Sequence, residues 1–482
     1  MKNSTRITKF TPSQEVALRD IERFRNTPID HKNINSRVLV LIGPAGSGKT
    51  TLIKYAFEDL IECDEDLDID DEKMFRPSLF KSLPNVVGVC VAHKAKRNLK
   101  KSIPFVKTFA SYFNMDSDVT IDGNREFVVN PSKLSTSMAK KYIRVVVHDE
   151  VSMYDHAMIQ LVLKETHPNT KIILMGDDAQ LPPINSEGDE DSPAFKLKNI
   201  VKLKERVRQT EGNPILELSD IIREEIYGNK DIGRILSAMK EHSLDDGKGF
   251  TSLRYRDFLN DYKNSTDNYI ESKVIAYRNE AINNFNGHIR NYLHPNTHAL
   301  YSKGEIIYMN DTYFNELKEE ISPIDHLEEI MMLDENKEYR CYNSDEYTIL
   351  NVEIAMLENI KVYKVWVKDE NDRLVYIPFV HPEGEAEWKK RYYGLTNLAN
   401  KAIDYEKRKY FFKLRWGFVR KFGNGAYAYA LTAYKAQGSG YKNIYVDVND
   451  IVTLDKISAK RKLQTLYTAI TRAEHKVTFL KQ

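Results

Sequence analysis

Cysteine is scarce in this chain, three in 482 residues. Cys63, Cys90 and Cys341 lie far apart, which excludes a disulfide framework and the paired spacing of a zinc site and suits a reducing compartment. Long apolar runs are missing too. None approaches the length needed to cross a bilayer, and the opening MKNSTRITKF has no apolar stretch of the kind a secretory leader carries. The expectation is a cytoplasmic chain with no membrane partner. An excess of either charge is also lacking. With 71 basic and 70 acidic residues the net charge is +1, which neither requires nor excludes a polyanionic partner, because basic residues can gather on one face. No internal repeat or low-complexity tract is present. What remains is an ordinary globular composition, 41% apolar and 29% charged, with length for about two to four domains.

Against that background one segment stands out. The apolar run Val38–Ile42 leads directly into Gly43, Pro44, Ala45, Gly46, Ser47, Gly48, Lys49, Thr50 and Thr51. A buried strand, then G-x-x-x-x-G-K-T, then a helix is the context of a phosphate-binding P-loop. Its glycines let successive N–H groups face an anion, and the helix that follows, over 49–61, adds the partial positive charge of its N-terminus. Lys49 then reaches the outer phosphates of ATP and the Thr50 hydroxyl ligates Mg²⁺.

Strand-like segments at Val38–Ile42, Val86–Val91, Ile143–His148 and Lys171–Met175 alternate with helical ones near 49–61, 94–102 and 155–166. This is βαβ rhythm and predicts a parallel sheet with ligands at the carboxyl ends of its strands. Val119–Val129 breaks the rhythm and reads as a β-hairpin turning at Asp122-Gly123. A second α/β pattern starts near Val201, includes Val274–Tyr277 and a helix over 279–292, and resumes at Tyr429–Thr432, Ile444–Val448, 458–470 and Val477–Leu480. Between these parts, 296–424 is Tyr-rich and reads as mainly β. Residues 62–72 are acidic and read as a solvated loop. The stretch 401–421 interleaves basic and aromatic residues and fits either a nucleic-acid contact or an ordinary amphipathic helix.

Asp149 and Glu150 close the apolar run Val145–His148. Asp149 suits the Mg²⁺ shell, and Glu150 is placed to polarise a water. Gln180, in Met175–Pro183, follows another strand and is a candidate γ-phosphate sensor. Gln14 in Phe10–Gln14 fits an adenine edge, and equally the third position of a capping box opened by Thr11 and Pro12. Arg208 and Arg472 are candidates for stabilising the transferring phosphoryl charge; from spacing alone both also fit surface ion pairs.

In this order the segments resemble superfamily 1 DNA helicases of the RecD/Dda-like branch. Phe10–Gln14 resembles the Q motif, Gly43–Thr51 motif I, Val91–Lys96 motif Ia, Lys107–Phe109 motif Ib, Asp149–Ser152 motif II, Gly176–Pro183 motif III, Leu203–Gln209 motif IV, Thr432–Gly438 motif V and Leu466–Arg472 motif VI. The resemblance implies two RecA-like P-loop domains, over 1–111 with 141–200 and over 201–295 with 425–482. It implies a strand-separating pin over 112–140 and a mostly β, SH3-like insertion over 296–424. Lys49, Thr50, Asp149, Glu150, Gln180, Arg208 and Arg472 then carry ATP hydrolysis. His93, Lys94, Thr108, Phe109, Thr432, Tyr434, Lys435 and Gln437 line a single-strand track, with Phe127 or the hairpin tip at the duplex fork. Three features depart from the family pattern: Val91-Ala92 replaces Pro-Thr in motif Ia, Tyr434 replaces His in motif V, and Ser439-Gly440 follows the motif V glycine where an acidic residue often stands. The implied activity is ATP-driven 5′→3′ movement on single-stranded DNA with unwinding, by a working monomer in a bacterial or phage-infected cytoplasm. Single-strand-binding, replication or recombination proteins are the implied partners. A translocase that does not unwind, and a nucleic-acid-binding protein with an idle ATP site, are the alternatives. RNA is not excluded as a substrate.

Overall fold

Alternation along strand β1 (Val38–Ile42) organises the first lobe. In a computed structural model that describes residues 10–65, 83–120, 122–184, 190–206, 213–239, 242–243, 247–264, 271–295, 299–315, 339–368 and 372–481, all five residues of β1 are buried. Leu39 and Leu41 face one core, packed with Ala17, Ile21 and Phe24 of helix α1 (Pro12–Asn26) and with Leu52 and Ile53 of α2 (Lys49–Ala56). Val38, Val40 and Ile42 face the other, with Tyr112, Ile159 and Val162. A strand buried on both faces belongs in a parallel sheet clothed by helices.

The remaining strands follow from that requirement. β2 (Val86–Cys90) leads into α3 (His93–Lys100), and β3 (Val106–Thr108) into the short α4 (Phe109–Tyr112). Next come the hairpin strands β4 (Asp116–Val119) and β5 (Arg125–Val128), then β6 (Val145–His148), helix α5 (His156–Glu165), β7 (Lys171–Gly176) and β8 (Ile200–Lys202). The sheet order is β3-β2-β6-β7-β1-β8, and every pairing in it is parallel. The P-loop therefore leaves the carboxyl end of β1 beside the end of β7, with β6 the next strand over.

In the second lobe, α6 (Pro214–Tyr227) precedes β9 (His242–Ser243), β10 (Gly249–Arg254) and β11 (Ser272–Ala276). A helix over Asn279–Leu293 leads out of the lobe, and its remaining strands lie beyond the insertion. The insertion contains a three-stranded antiparallel sheet, Asn351–Leu357, Ile360–Lys368 and Leu374–Val380, and a second in which Ile306–Met309 pairs with Glu346–Thr348 and Gly425–Tyr427. It also holds two helices, α7 (Glu385–Lys401) and α8 (Tyr405–Val419), that pack on each other. The segment expected to be mainly β is thus mixed, and the basic-aromatic stretch is a helix. Strands β12 (Ala430–Thr432), β13 (Tyr441–Asp447) and β14 (Ala473–Lys481) return to the second lobe, with α9 (Ala433–Ala436) and α10 (Ala459–Ile470) between them. Its sheet order is β12-β11-β13-β14-β10-β9, parallel except for β9. Two parallel α/β sheets of this kind are the two RecA-like lobes.

By compactness the chain separates into one unit of Met1–Met115, Val129–His288 and Ala430–Gln482, containing both lobes, and another of Asp116–Val128 with Ile289–Tyr429. The hairpin therefore groups with the insertion although it interrupts the first lobe in sequence. Its turn carbonyl, Gly123 O, accepts from Trp416 Nε1 at 2.9 Å and from the Arg415 guanidinium, both on α8. Asp118 pairs with Lys409 at 2.7 Å and Lys413 at 3.4 Å, and the Lys409 hydrogen bond leads in holding its carboxyl down to about 2. Val119 is buried with Ala399 and Phe412. One further expectation changes: the acidic stretch read as a loop from 62 is helical as far as Glu65, and its remainder, 66–72, lies outside the described residues.

Candidate active site at the P-loop

Gly46 and Gly48 adopt φ of 80° and 81°, the left-handed region that glycine enters without a Cβ penalty. They curl the loop so that α2 begins at Lys49 with Gly48 as its N-cap. At Gly43 a Cβ would sit 2.7 Å from Ser47 Oγ and 2.9 Å from Leu203 Cβ, so close backbone approach also requires glycine there. Lys49 Nζ donates to Gly43 O at 2.7 Å and Pro44 O at 3.2 Å. Thr50 and Thr51 follow, half-buried, in the first turn of α2.

Gln14 is buried under this loop. Its Oε1 accepts the Thr11 N–H at 3.0 Å, completing the capping box, and its Nε2 donates to Ser47 O at 2.9 Å. The side chain thus serves as helix cap and as a prop beneath the P-loop; no geometry shows it turned toward a base. Thr11 Oγ1 in turn donates to Glu205, just past β8, at 3.1 Å.

Asp149 and Glu150 leave β6 at the same sheet edge. Glu150 has φ of 53° although it is not glycine. A non-glycine residue held there is a strained backbone of the kind that concentrates at functional sites. Burial pushes the Glu150 carboxyl up to about 7, the charge of Asp149 adds to the rise, and Arg472 and Lys49 oppose it. Asp149 is also raised by burial, against Lys49 and the Glu150 N–H that it accepts at 2.9 Å. Lys49, Asp149, Glu150 and Arg472 therefore share one electrostatic environment, three from the first lobe and one from the second.

Arg472 is buried at the end of α10. It donates to Thr468 O at 3.1 Å, Ser439 O at 3.3 Å and Thr471 Oγ1 at 3.1 Å. Local carbonyls and a hydroxyl fix its direction, which is the organisation of a placed cation rather than a surface ion pair. Arg208 lies outside the described residues.

Gln180 is buried, and its Oε1 has no partner among the described residues. The next peptide, Leu181, is gripped from the second lobe: its N–H donates to Thr468 Oγ1 at 3.2 Å, and its carbonyl accepts from Gln437 Nε2 at 3.4 Å. Ser47 Oγ is likewise buried with no partner among the described residues, and it lies within the P-loop curl, where the backbone amides fit a nucleotide phosphate.

Three residues that sequence reasoning missed sit at the centre. Asp177, 1% exposed, accepts from Ala45 N–H of the P-loop at 3.1 Å and from Tyr467 OH of α10 at 2.7 Å through Oδ2. Through Oδ1 it accepts from Ala179 N–H at 3.1 Å and from the Arg223 guanidinium of α6. Arg223 also pairs with Asp178. Burial alone would raise the Asp177 carboxyl, but Arg223, Lys49 and Tyr467 together hold it below its ordinary value. The sequence offered one signal, an acidic pair directly after a strand, and none that named its partners.

Of the residues expected on a single-strand track, Thr108 and Thr432 occupy equivalent positions, one in each lobe. Thr108 caps α4 by accepting Ser111 N–H at 3.3 Å, and Thr432 caps α9 by accepting Lys435 N–H at 3.3 Å. Each threonine ends a strand, β3 in one lobe and β12 in the other, and opens a short helix. Phe109 is buried against Tyr154 and Phe113. Lys94 Nζ donates to Tyr441 OH at 2.9 Å, and Tyr434 OH accepts from Arg461. Burial lowers Lys435. His93 opens α3, half-buried. Phe127, on β5, is 57% exposed. Among the described residues no helix is long and apolar enough to cross a membrane, and no His, Cys, Asp and Glu cluster has the makings of a metal centre.

Residues 31–243 match the AAA domain family, and residues 427–480 match the UvrD-like helicase C-terminal domain. The chain is 27% identical over 291 residues to the ATP-dependent DNA helicase dda of Enterobacteria phage T4, covering 59% of each chain. It is 24% identical over 480 residues to an uncharacterized protein of Methanocaldococcus jannaschii, covering 92% of this chain and 36% of that one. In both cases less than two thirds of the relative is spanned. Among solved structures, the Bacteroides Pif1 helicase in complex with ADP-AlF3 and ssDNA matches over 98% of this chain and 92% of its own, with 16% identity and a TM-score of 0.49.

Proposed function

We propose, starting from the chain's place among superfamily 1 helicases of the Dda and Pif1 type, that it is an ATP-driven motor that moves 5′→3′ along single-stranded DNA and parts the duplex ahead of it. The observation that carries this reading is the convergence of Lys49, Asp149 and Glu150 from one lobe with Arg472 from the other on a single electrostatic site. A cleft lined from both lobes can close on ATP and reopen after hydrolysis, and that cycle is what moves a strand.

Lys49 and the P-loop amides hold the phosphates, while Arg472 and Arg208 meet the charge that develops on the transferring phosphoryl group. Thr50 and Asp149 are the residues that would hold Mg²⁺, which neutralises phosphate charge when bound. Glu150, its carboxyl near neutrality, accepts the proton of the attacking water. Gln180 carries the state of the site to Leu181, and Thr468 and Gln437 hold that peptide from the other lobe.

On the DNA side, Thr108 and Thr432 end equivalent strands, one in each lobe, and each hydroxyl can donate to a backbone phosphate. Alternate grip by two such points gives sequence-independent steps, and salt should weaken binding steeply. The exposed ring of Phe127 is our candidate for meeting a base pair at the fork. Single-strand-binding, replication or recombination proteins are the partners this activity would meet.

Two matched partial duplexes test the reading, one with a 5′ tail and one with a 3′ tail, with ATP hydrolysis followed in the same tubes. Separation of the 5′-tailed substrate alone is the expected result. Hydrolysis stimulated by both DNAs with neither opened would replace it with a translocase that does not unwind.

A further inference from the structure

We infer that Arg223 and Tyr467 are positioning residues through which the second lobe sets the conformation of the P-loop, with Asp177 as the relay between them. The inference rests on the motor reading above and adds how one lobe senses the other. Each Asp177 oxygen takes one backbone N–H from the first lobe and one side chain from the second. Oδ2 holds Ala45 N–H and Tyr467 OH; Oδ1 holds Ala179 N–H and Arg223. The four acceptor sites of a carboxylate are thereby filled, in balance across the lobes.

That balance makes the relay directional. Arg223 spans Asp177 and Asp178 with its two terminal nitrogens and also donates to Tyr467 OH at 3.2 Å, so the second-lobe partners act together. If the lobes part, both are withdrawn at once. Asp177 is then a buried carboxylate with two backbone donors left, its ion pair gone and only the charge of Lys49 opposing its burial, which is costly. It relieves this by moving toward solvent or the second lobe, and in either case it releases Ala45 N–H. Ala45 belongs to the loop that cradles the phosphates, so grip on nucleotide follows the position of the second lobe. An ion pair that merely stapled two surfaces would have no reason to hold a P-loop amide with the same oxygen that accepts the tyrosine.

Amide hydrogen exchange on the full chain without nucleotide tests this, using Tyr467→Phe and Arg223→Met, which preserve side-chain bulk and touch no P-loop atom. In both variants exchange at Ala45 should quicken by about tenfold or more while the amides of Leu39–Leu41 keep their protection. Exchange at Ala45 within about twofold of the parent chain would overturn the inference. So would equal loosening of β1, which would make the contacts a plain structural staple. In DNA-stimulated hydrolysis the same variants should raise KM for ATP by about tenfold or more, the mark of a loosened phosphate grip, with kcat changed by about threefold at most. If the parent chain shows no DNA-stimulated hydrolysis, the motor reading fails, while exchange at Ala45 still decides whether the relay exists.

Discussion

Replacing Glu150 by Gln should make the protein more stable and nearly inactive, and the size of the first effect can be worked from the site. The carboxyl stands at about 7 in the folded chain against an ordinary 4.5, first because of burial and then because of Asp149. The folded protein therefore holds this proton more tightly than the unfolded chain does. The stability so gained is fully present below about pH 4.5 and is lost as pH rises through about 7. At about 1.36 kcal/mol for each tenfold in proton affinity, the ionised carboxylate costs up to about 3 kcal/mol by pH 8. Gln has the shape of the neutral acid and the same backbone, so the strain at φ of 53° cancels in the comparison. Thermal unfolding of the nucleotide-free chains should show the variant ahead at pH 8 by up to about 3 °C, and nearly level with the parent at about pH 4. DNA-stimulated hydrolysis should fall by about a hundredfold or more. A variant no more stable at pH 8 than its parent, or more stable by the same amount at both pH values, would refute the argument that burial and Asp149 raise this carboxyl.

Two other perturbations probe the DNA side. Gly123→Ala places a Cβ 2.6 Å from Phe412 Cε1 at φ of +80°, at a backbone cost of about 1–2 kcal/mol. Unwinding of a 5′-tailed duplex should drop well below that of the parent while hydrolysis stimulated by single strands persists; parallel loss of both would remove the hairpin from strand separation. Thr432→Ala should cost about 1 kcal/mol as a lost helix cap and weaken single-strand binding in a salt titration, with Thr432→Ser restoring both. Unchanged affinity would take Thr432 off the track.

The P-loop, the acidic pair after β6 and the strand ends around them were legible because each rests on local pattern: an apolar run, then the residues that leave it. Val38–Ile42 is a strand over the range its composition predicts. Asp177 was written in the sequence too, but its partners lie 46 and 290 residues away, and no periodicity joins residues at such separations. Gln14 shows the converse: the capping pattern was local and is present, whereas its second bond, to Ser47 O, depends on α1 lying under the loop. Helix α8 was legible only as one of two readings of 401–421, for another reason. Phe412, Arg415 and Phe418 are buried while Tyr410 and Leu414 are exposed, and the buried arginine with the exposed apolar residues blurs the 3.6-residue period by which a helix is recognised.

The strand order of the second lobe bears on how the chain can be made. The first sheet has all its strands once β8 has been synthesised at Lys202. In the second, β10 and β11 appear early but are not neighbours; β13 and β14 stand between them and come from the last stretch of the described chain. On a ribosome, β11 must wait through the whole insertion for both of its partners, β12 and β13. Its unpaired edges remain exposed in the meantime, in a parallel sheet of high contact order. A nascent chain halted anywhere between Lys202 and Tyr441 would carry all the strands of the first sheet and an unfinished second, with an intact P-loop and no Arg472.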